Sequence, residues 1–186
     1  SGNYLGCLDW VARVVEHTSF ATASSNAATV LNRSAIEELG RASMDVVVTD
    51  PPYYDAIPYS DLMDFFYVWL RRTLHGVSPE IDRALASPLA PKWDHQKNDG
   101  ELIDDSSRFG GDKDKSKRNY EDGMYRAFRA CEIALNPDGR LVIVFAHQHP
   151  DAWDTLVAAI IRAGFGVDGS WPIQTERTGR MRSNNS

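Results

Sequence analysis

One stretch near residue 50 limits the possible folds of this chain more than any other. Residues 44–49 read Met-Asp-Val-Val-Val-Thr, continuously apolar from Val46 to Val48, which is typical of a buried strand in a parallel sheet. Pro51 and Pro52 follow Asp50, and two successive prolines fix φ and remove two backbone N–H donors. A helical pattern of apolar residues comes next. The sequence therefore predicts an α/β fold, with a mostly parallel sheet and flanking helices.

The turn Asp50-Pro51-Pro52-Tyr53 has side chains suited to holding an amino group. Its Asp50 carboxylate and the neighbouring carbonyls are hydrogen-bond acceptors, and Tyr53 offers a flat ring that can stack on a base. Such a turn at the carboxyl end of a parallel strand is where ligands collect in α/β sheets. It suits methyl transfer to an exocyclic amine, which depends on positioning and placed electrostatics. The alternative is a plain turn in which Asp50 bonds its own backbone.

Composition narrows the class of protein. The chain has 186 residues, 42% hydrophobic and 25% charged, as in a single soluble globular domain. Its formal net charge of −6 argues against a complete nucleic-acid-binding surface, which is normally basic. Cys7 and Cys131 stand alone, so neither a zinc site nor a disulfide framework is indicated. Without a signal peptide or a long apolar run, we expect a cytoplasmic protein.

Apolar periodicity predicts several helices and strands. The predicted helices lie at about 4–17, at about 32–39 with Asn32 as its cap, and on the stripes 62–70, 120–135 and 153–161. The aromatic stripe of residues 62–70 is expected in the core. Further strands are predicted at 20–23, 141–146 and 165–173, and a turn at 136–139.

Residues 76–117 are predicted to form a long insertion, either a functional lid or a disordered loop, because they combine three prolines with many charges. Within the insertion, Gly110 and Gly111 could belong to a phosphate loop, but a plain turn is favoured. Beyond it, His147 and His149 follow a predicted strand without a nearby third ligand. They are interpreted as loop histidines, and we expect no metal site.

With these motifs the chain resembles the large prokaryotic putative adenine-specific DNA methylases. The family has the class I S-adenosylmethionine-dependent methyltransferase fold. The similarity covers well over half of the chain, in residues 49–55, 59–72, 108–113, 120–124, 137–148 and 164–176. It implies a partial Rossmann-like fold, S-adenosylmethionine as cofactor, and methyl transfer to N6 of a flipped adenine in DNA.

The resemblance also implies roles for individual residues. Asp50, Pro51, Pro52 and Tyr53 match the family's catalytic motif, and Tyr53 with Tyr54 would bind the substrate base. Asp50 would also border the cofactor. Asn26, expected after the first strand, matches a position where the family usually carries an acid that contacts the cofactor's adenine.

The sequence also departs from the family. No strand followed by a glycine-rich turn and a helix precedes Asp50. We therefore expect the carboxyl-side part of a catalytic domain, inactive by itself, whose parent polypeptide supplies the cofactor loop and the DNA-binding surface. The motif leaves the substrate open among adenine, cytosine N4, RNA and a glutamine side chain. A non-catalytic segment that binds nucleic acid or a partner subunit is the alternative of another class.

Overall fold

The computed structural model describes residues 3–173, apart from 27, 30, 32, 55–56, 90–91 and 148. It is a mixed α/β structure with a small parallel sheet of two strands and flanking helices. The helices are α1 (Tyr4–Ala21), α2 (Tyr59–Thr73), α3 (Pro79–Ala84), α4 (Lys113–Ala134) and α5 (Pro150–Arg162). The strands are β1 (Met44–Thr49), β2 (Trp93–Asp94), β3 (Asp99–Gly100) and β4 (Leu135–Ile143). No helix among the described residues is both long and apolar enough to cross a membrane.

The chain divides into two units, Ser1–Arg33 and Ser34–Ser186. The first unit contains α1, which begins at an Asn3 cap whose side chain accepts a hydrogen bond from the Gly6 N–H at 2.7 Å. The helix predicted at 4–17 is confirmed and continues to Ala21. The strand predicted at 20–23 is therefore wrong: the Thr22 N–H donates to the Thr18 carbonyl at 2.9 Å, so local helical bonds prevail there.

In the second unit, β1 pairs in parallel with β4, with Val47 opposite Leu141 and Thr49 opposite Ile143. The predicted bounds of β1 are confirmed, and the predicted strand at 141–146 is confirmed as far as Ile143. Residues 136–139, predicted as a turn, bulge out of β4 opposite a single residue of β1. The bulge leaves the far ends of both strands aligned at one edge.

The core lies between α4 and α5. Its largest members are Tyr120, Met124 and Phe128 of α4 and Leu156 and Ile160 of α5, each at most 8% exposed. The helices predicted on the stripes 120–135 and 153–161 are confirmed, but Trp153, Val157 and Ile161 of the second stripe are exposed. This packing presents one face of α4 to the end of the sheet, where Tyr54 and Phe145 lie against the core.

Four other predictions are wrong. Residues 34–39 form only a turn, and the proposed cap Asn32 lies outside the described residues. Residues 165–173 have no regular structure; Gly166 and Gly169 contribute no side chain to a sheet, and no described strand pairs with them. The aromatic stripe of α2 is not in the core, because α2 has no buried residue. The expected burial of β1 is wrong too: Val46 and Val48 are exposed, because β4 is the only described strand that pairs with β1.

The predicted insertion at 76–117 contains α3, the antiparallel hairpin of β2 and β3, and a short 3₁₀ turn, Ser106–Phe109. Gly110 and Gly111 follow with φ of 68° and 89°, and the favoured interpretation as a plain turn is confirmed. Asp112 then caps α4 by accepting from the Lys115 N–H at 2.9 Å. Ile103 and Phe109 are buried, so apolar contacts as well as turns hold this segment.

Candidate functional site

The Asp50 turn lies at the carboxyl end of the parallel strand pair. The Val144 N–H donates to the Thr49 carbonyl at 2.9 Å, which continues the pairing to the start of the turn. Because the strands are parallel, His147 and His149, which follow β4, lie at the same edge of the sheet as Asp50. A turn at this edge of an α/β sheet is open to a ligand.

Asp50 is exposed, whereas Pro51 directly after it is buried and anchors the turn. Tyr53 is partly buried, and its ring contacts Phe145 edge to face with centroids 5.4 Å apart. Burial raises the pKa of the Tyr53 hydroxyl, and a hydrogen bond to the Asp50 carboxylate and its negative charge raise the pKa further, with a smaller effect of Tyr59. The Tyr53 hydroxyl and the Asp50 carboxylate are therefore neighbours in one site.

Tyr54 has a left-handed backbone with φ of 44°, which residues with a side chain rarely adopt. Its N–H donates to the Tyr120 hydroxyl at 3.2 Å, and its carbonyl accepts from the Asp104 N–H at 3.0 Å. The Tyr120 hydroxyl donates in turn to the Pro52 carbonyl at 2.9 Å. Residues fifty or more positions away along the chain thus hold the shape of the turn.

Aromatic rings surround the turn on the β4 side. Tyr54 contacts Tyr120 at 5.2 Å and His147 at 6.1 Å between centroids, and Phe145 contacts Trp153 at 5.0 Å. The Trp153 indole N–H donates to the His147 carbonyl at 2.9 Å, which ties the loop after β4 to α5. The site therefore combines one exposed carboxylate with a largely aromatic wall.

A buried ion pair joins the insertion to the start of α2. Arg108 and Glu101, whose side chains are 8% and 13% exposed, are 2.6 Å apart, and the Ser60 N–H and hydroxyl donate to Glu101 at 2.8 and 2.6 Å. Burial alone would raise the pKa of the Glu101 carboxyl, but the bonds from Ser60 and Arg108 outweigh it and lower the pKa. Among the described residues, the buried Arg108 Nη1 and Thr49 Oγ1 have no hydrogen-bond partner.

The predicted site residues belong to both units of the chain. Asp50, Pro51, Pro52, Tyr53 and Tyr54 form one turn. Asn26 lies exposed in the first unit, and it follows helix α1 instead of the predicted first strand. In the part of the chain that the structure describes, no group of three or more His, Cys, Asp or Glu side chains could hold a metal ion.

Sequence reasoning missed four residues of the site: Tyr120, Asp104, Phe145 and Trp153. Tyr120 was predicted only as part of an apolar helical stripe; it is 2% exposed, and its hydroxyl donates to the Pro52 carbonyl of the turn. The available signal was a tyrosine in an otherwise apolar stripe, since a buried tyrosine hydroxyl normally finds a hydrogen-bond partner. Nothing local in the sequence marks Asp104, which acts through its backbone N–H.

Comparison with known proteins gave no relative: the chain matches no protein-family model, no curated protein and no solved structure.

Proposed function

We propose that this chain belongs to an S-adenosylmethionine-dependent methyltransferase acting on adenine N6 of DNA, with the Asp50 turn as its target-binding half. The observation that carries the proposal is an exposed Asp50 carboxylate beside Tyr53 at the carboxyl end of parallel strands. Two prolines remove competing backbone donors from the same turn. The site therefore offers acceptors to an amino group and an aromatic ring to the base that carries it.

The chemistry of the target explains the arrangement. The lone pair of an adenine amino group is delocalised into the ring, which makes the nitrogen a poor nucleophile. A carboxylate that accepts an N–H bond favours a pyramidal nitrogen whose lone pair points away from the acceptor. Asp50 would do this by position and charge, and stacking on an aromatic ring such as Tyr53 contributes about 1–3 kcal/mol per base.

The cofactor half of such a site is not formed by the residues described. In the proposed reaction S-adenosylmethionine would supply the methyl group, and we propose a Rossmann-like fold to hold it. Before β1, however, the described residues contain a helix and no strand with a glycine turn, and Asn26 is exposed in the other unit. We assign the cofactor cradle to a part of the protein outside these residues.

A second candidate function is a non-catalytic segment that binds nucleic acid or a partner subunit. It is favoured by the same lack of a cradle among the described residues and by the net charge of −6, which suits a partner better than a phosphate backbone. Cytosine N4, RNA or a glutamine side chain would use the Asp50 turn in the same way. The turn does not discriminate among these substrates, so an activity assay is needed to distinguish them.

Replacing Asp50 tests the proposal. In the full-length protein, Asp50→Ala should lower single-turnover methyl transfer to adenine-containing duplex DNA about 10²–10³-fold, the usual effect of losing one placed electrostatic group. Affinity for the cofactor should stay within several-fold. Asp45→Ala is the matched control, since Asp45 is exposed at the other end of β1 and bonds Asn136 at 2.7 Å.

The outcomes separate the candidates. Near-normal transfer by Asp50→Ala would remove this turn as the active site. Transfer to RNA or to a glutamine peptide, but not to DNA, would keep the site and change the substrate. Wild-type protein that binds DNA or a partner and transfers no methyl group to any of these substrates would support the non-catalytic function.

A further inference from the structure

We propose that Tyr120 is a positioning residue for the Asp50 turn, and that Ser116 and Asp104 complete the arrangement. We call these three residues the turn brace. The inference rests on the proposed function for its catalytic consequence, while its structural content can be measured without any activity. It adds to the site a helix, α4, that no part of the Asp-Pro-Pro-Tyr motif contains.

The Tyr120 hydroxyl makes two hydrogen bonds within three residues of the turn. It donates to the Pro52 carbonyl at 2.9 Å and accepts from the Tyr54 N–H at 3.2 Å. A phenol hydroxyl can do both at once, because it has one proton and two lone pairs. Tyr53 lies between the two bonded residues, so its backbone is fixed on both sides by one atom of α4.

Asp104 and Ser116 hold the other side of Tyr54. The Asp104 N–H donates to the Tyr54 carbonyl at 3.0 Å, and the Asp104 carboxylate accepts from the Ser116 hydroxyl at 2.5 Å. Ser116 lies four residues before Tyr120 and is fully buried on the same face of α4. One face of one helix therefore fixes both the N–H and the carbonyl of Tyr54.

The backbone of Tyr54 shows why a brace is needed. With φ of 44° the residue is left-handed, a conformation that only glycine and, less often, asparagine or aspartate adopt easily. A residue in such a conformation persists when surrounding contacts determine it. The edge-to-face contact between the rings of Tyr54 and Tyr120, at 5.2 Å, adds to the two hydrogen bonds. We infer that the brace fixes Tyr54 in the left-handed conformation.

The brace also decides which acceptors of the turn are available to a target. The Pro52 carbonyl receives both the Tyr120 hydroxyl and, at 3.1 Å, the Tyr54 N–H. It therefore has no lone pair left for an incoming amine, while the Asp50 carboxylate is exposed. Tyr120 would thus act on the reaction through the aim of Tyr53 and Asp50, without touching the substrate.

Tyr120→Phe tests the brace, because it removes the hydroxyl and keeps the ring. Loss of its hydrogen bonds should speed hydrogen exchange of the Tyr54 amide about tenfold, followed by NMR, while amides of α5 exchange as before. In the full-length protein we expect kcat to fall about tenfold, because the Asp50 carboxylate is no longer held in its orientation. KM for DNA should stay within twofold, because the surface that binds DNA is unchanged. Tyr125→Phe is the matched control on the same helix; its ring contacts Arg162 at 3.8 Å, away from the turn.

Ser116→Ala gives an independent variant. It should speed exchange of the Asp104 amide and lower kcat in the same direction as Tyr120→Phe. Unchanged Tyr54 exchange together with unchanged kcat in Tyr120→Phe would overturn the brace. If the wild-type protein transfers no methyl group, the proposed function fails, and the exchange of the Tyr54 and Asp104 amides still decides whether the brace exists.

Discussion

Helices α2 and α4 repeat apolar residues at the same helical spacing, yet they differ completely in burial. Helix α4 buries Tyr120, Met124 and Phe128 at 1–2% exposure against α5 and the end of the sheet. Helix α2 carries an equally regular stripe, and Phe65, Phe66 and Trp69 on it are 54–61% exposed. Periodicity therefore identifies an apolar face, but whether that face is covered depends on its partner.

The two regions also differ in how they are held. Helix α4 is fixed by apolar packing, and its buried Tyr120 hydroxyl bonds the turn at Tyr54. The start of α2 is held by polar ties: Ser60 to the Glu101–Arg108 ion pair, and Asp61 to Lys92. Ion pairs depend on pH and are screened by salt, whereas apolar side chains carry no charge that titrates or is screened. The difference can be tested with substitutions matched across the two helices.

The largest effect is expected from a pair of identical substitutions in the two helices. Phe128→Ala in α4, where the side chain is 2% exposed, should lower the free energy of unfolding by about 3–5 kcal/mol. Phe66→Ala in α2, where it is 59% exposed, should change it by about 0.5 kcal/mol or less. Urea unfolding at one protein concentration measures both.

An equally large loss for Phe66→Ala would contradict the difference in burial, because it would mean that the α2 face is buried in solution. Repeating the measurement over a range of protein concentrations would then show whether a second copy of the chain covers it. A small loss for Phe128→Ala would mean that the core between α4 and α5 is not the one described.

Much of the fold could be predicted because its signals are local. The bounds of β1 follow from a valine run closed by Pro51 and Pro52, and α4 and α5 follow from their apolar spacing. The strand predicted at 20–23 failed because the backbone bonds that extend α1 outweighed β propensity. The strand predicted at 165–173 failed because a strand needs a neighbour, and no local pattern supplies one.

Only the part of the site that lies in one continuous stretch of the chain was predicted. The turn Asp50–Tyr54 and its position at the carboxyl edge were predicted from one continuous stretch of sequence. Tyr120 and Asp104 are separated from Tyr54 by 66 and 50 positions, and their bonds exist only once α4 packs against the sheet. Long-range hydrogen bonds of this kind leave no periodic signal in the sequence.

The next largest effect is expected at the polar tie of α2. Glu101→Gln should lower the free energy of unfolding by about 1.5–3 kcal/mol, because the buried Arg108 loses its hydrogen bond to the charged Glu101 carboxylate. The folded protein holds the Glu101 pKa below its ordinary 4.5, so the unfolded chain binds the proton more readily. The contribution of Glu101 to the free energy of unfolding is therefore present above about pH 4.5 and is lost as the pH falls through the lowered pKa.

Urea unfolding from neutral pH down into the acid range measures both the size and the pH dependence. Glu132→Gln is the matched control, because Glu132 pairs with Arg129 on the exposed side of α4 at 2.6 Å and its side chain is 38% exposed. We expect its effect to be within the range of exposed ion pairs, up to about 1 kcal/mol. Equal effects of the two substitutions would mean that the Glu101–Arg108 pair beside α2 stabilises the protein no more than the surface pair of α4.

The smallest effect is expected at Lys92, which bridges Asp61 at 3.0 Å and Asp64 on the first turns of α2. Hydrogen bonds to Asp64 and then Asp61 raise the pKa of Lys92 above its ordinary 10.5. The contribution of Lys92 to the free energy of unfolding is therefore complete below pH 10.5 and is lost only as the pH rises through the raised pKa. Lys92→Gln should therefore destabilise the protein at neutral pH and low salt, less than Glu101→Gln does. Because the bridge is partly exposed, the loss should shrink as salt is added.

Lys117→Gln is the control on α4, where the pair with Glu121 is 3.9 Å long and exposed, and thermal unfolding should not detect its removal. If Lys92→Gln behaves like Lys117→Gln at every salt concentration, the tie through Lys92 does not hold α2, and the Glu101–Arg108 pair would have to carry that role.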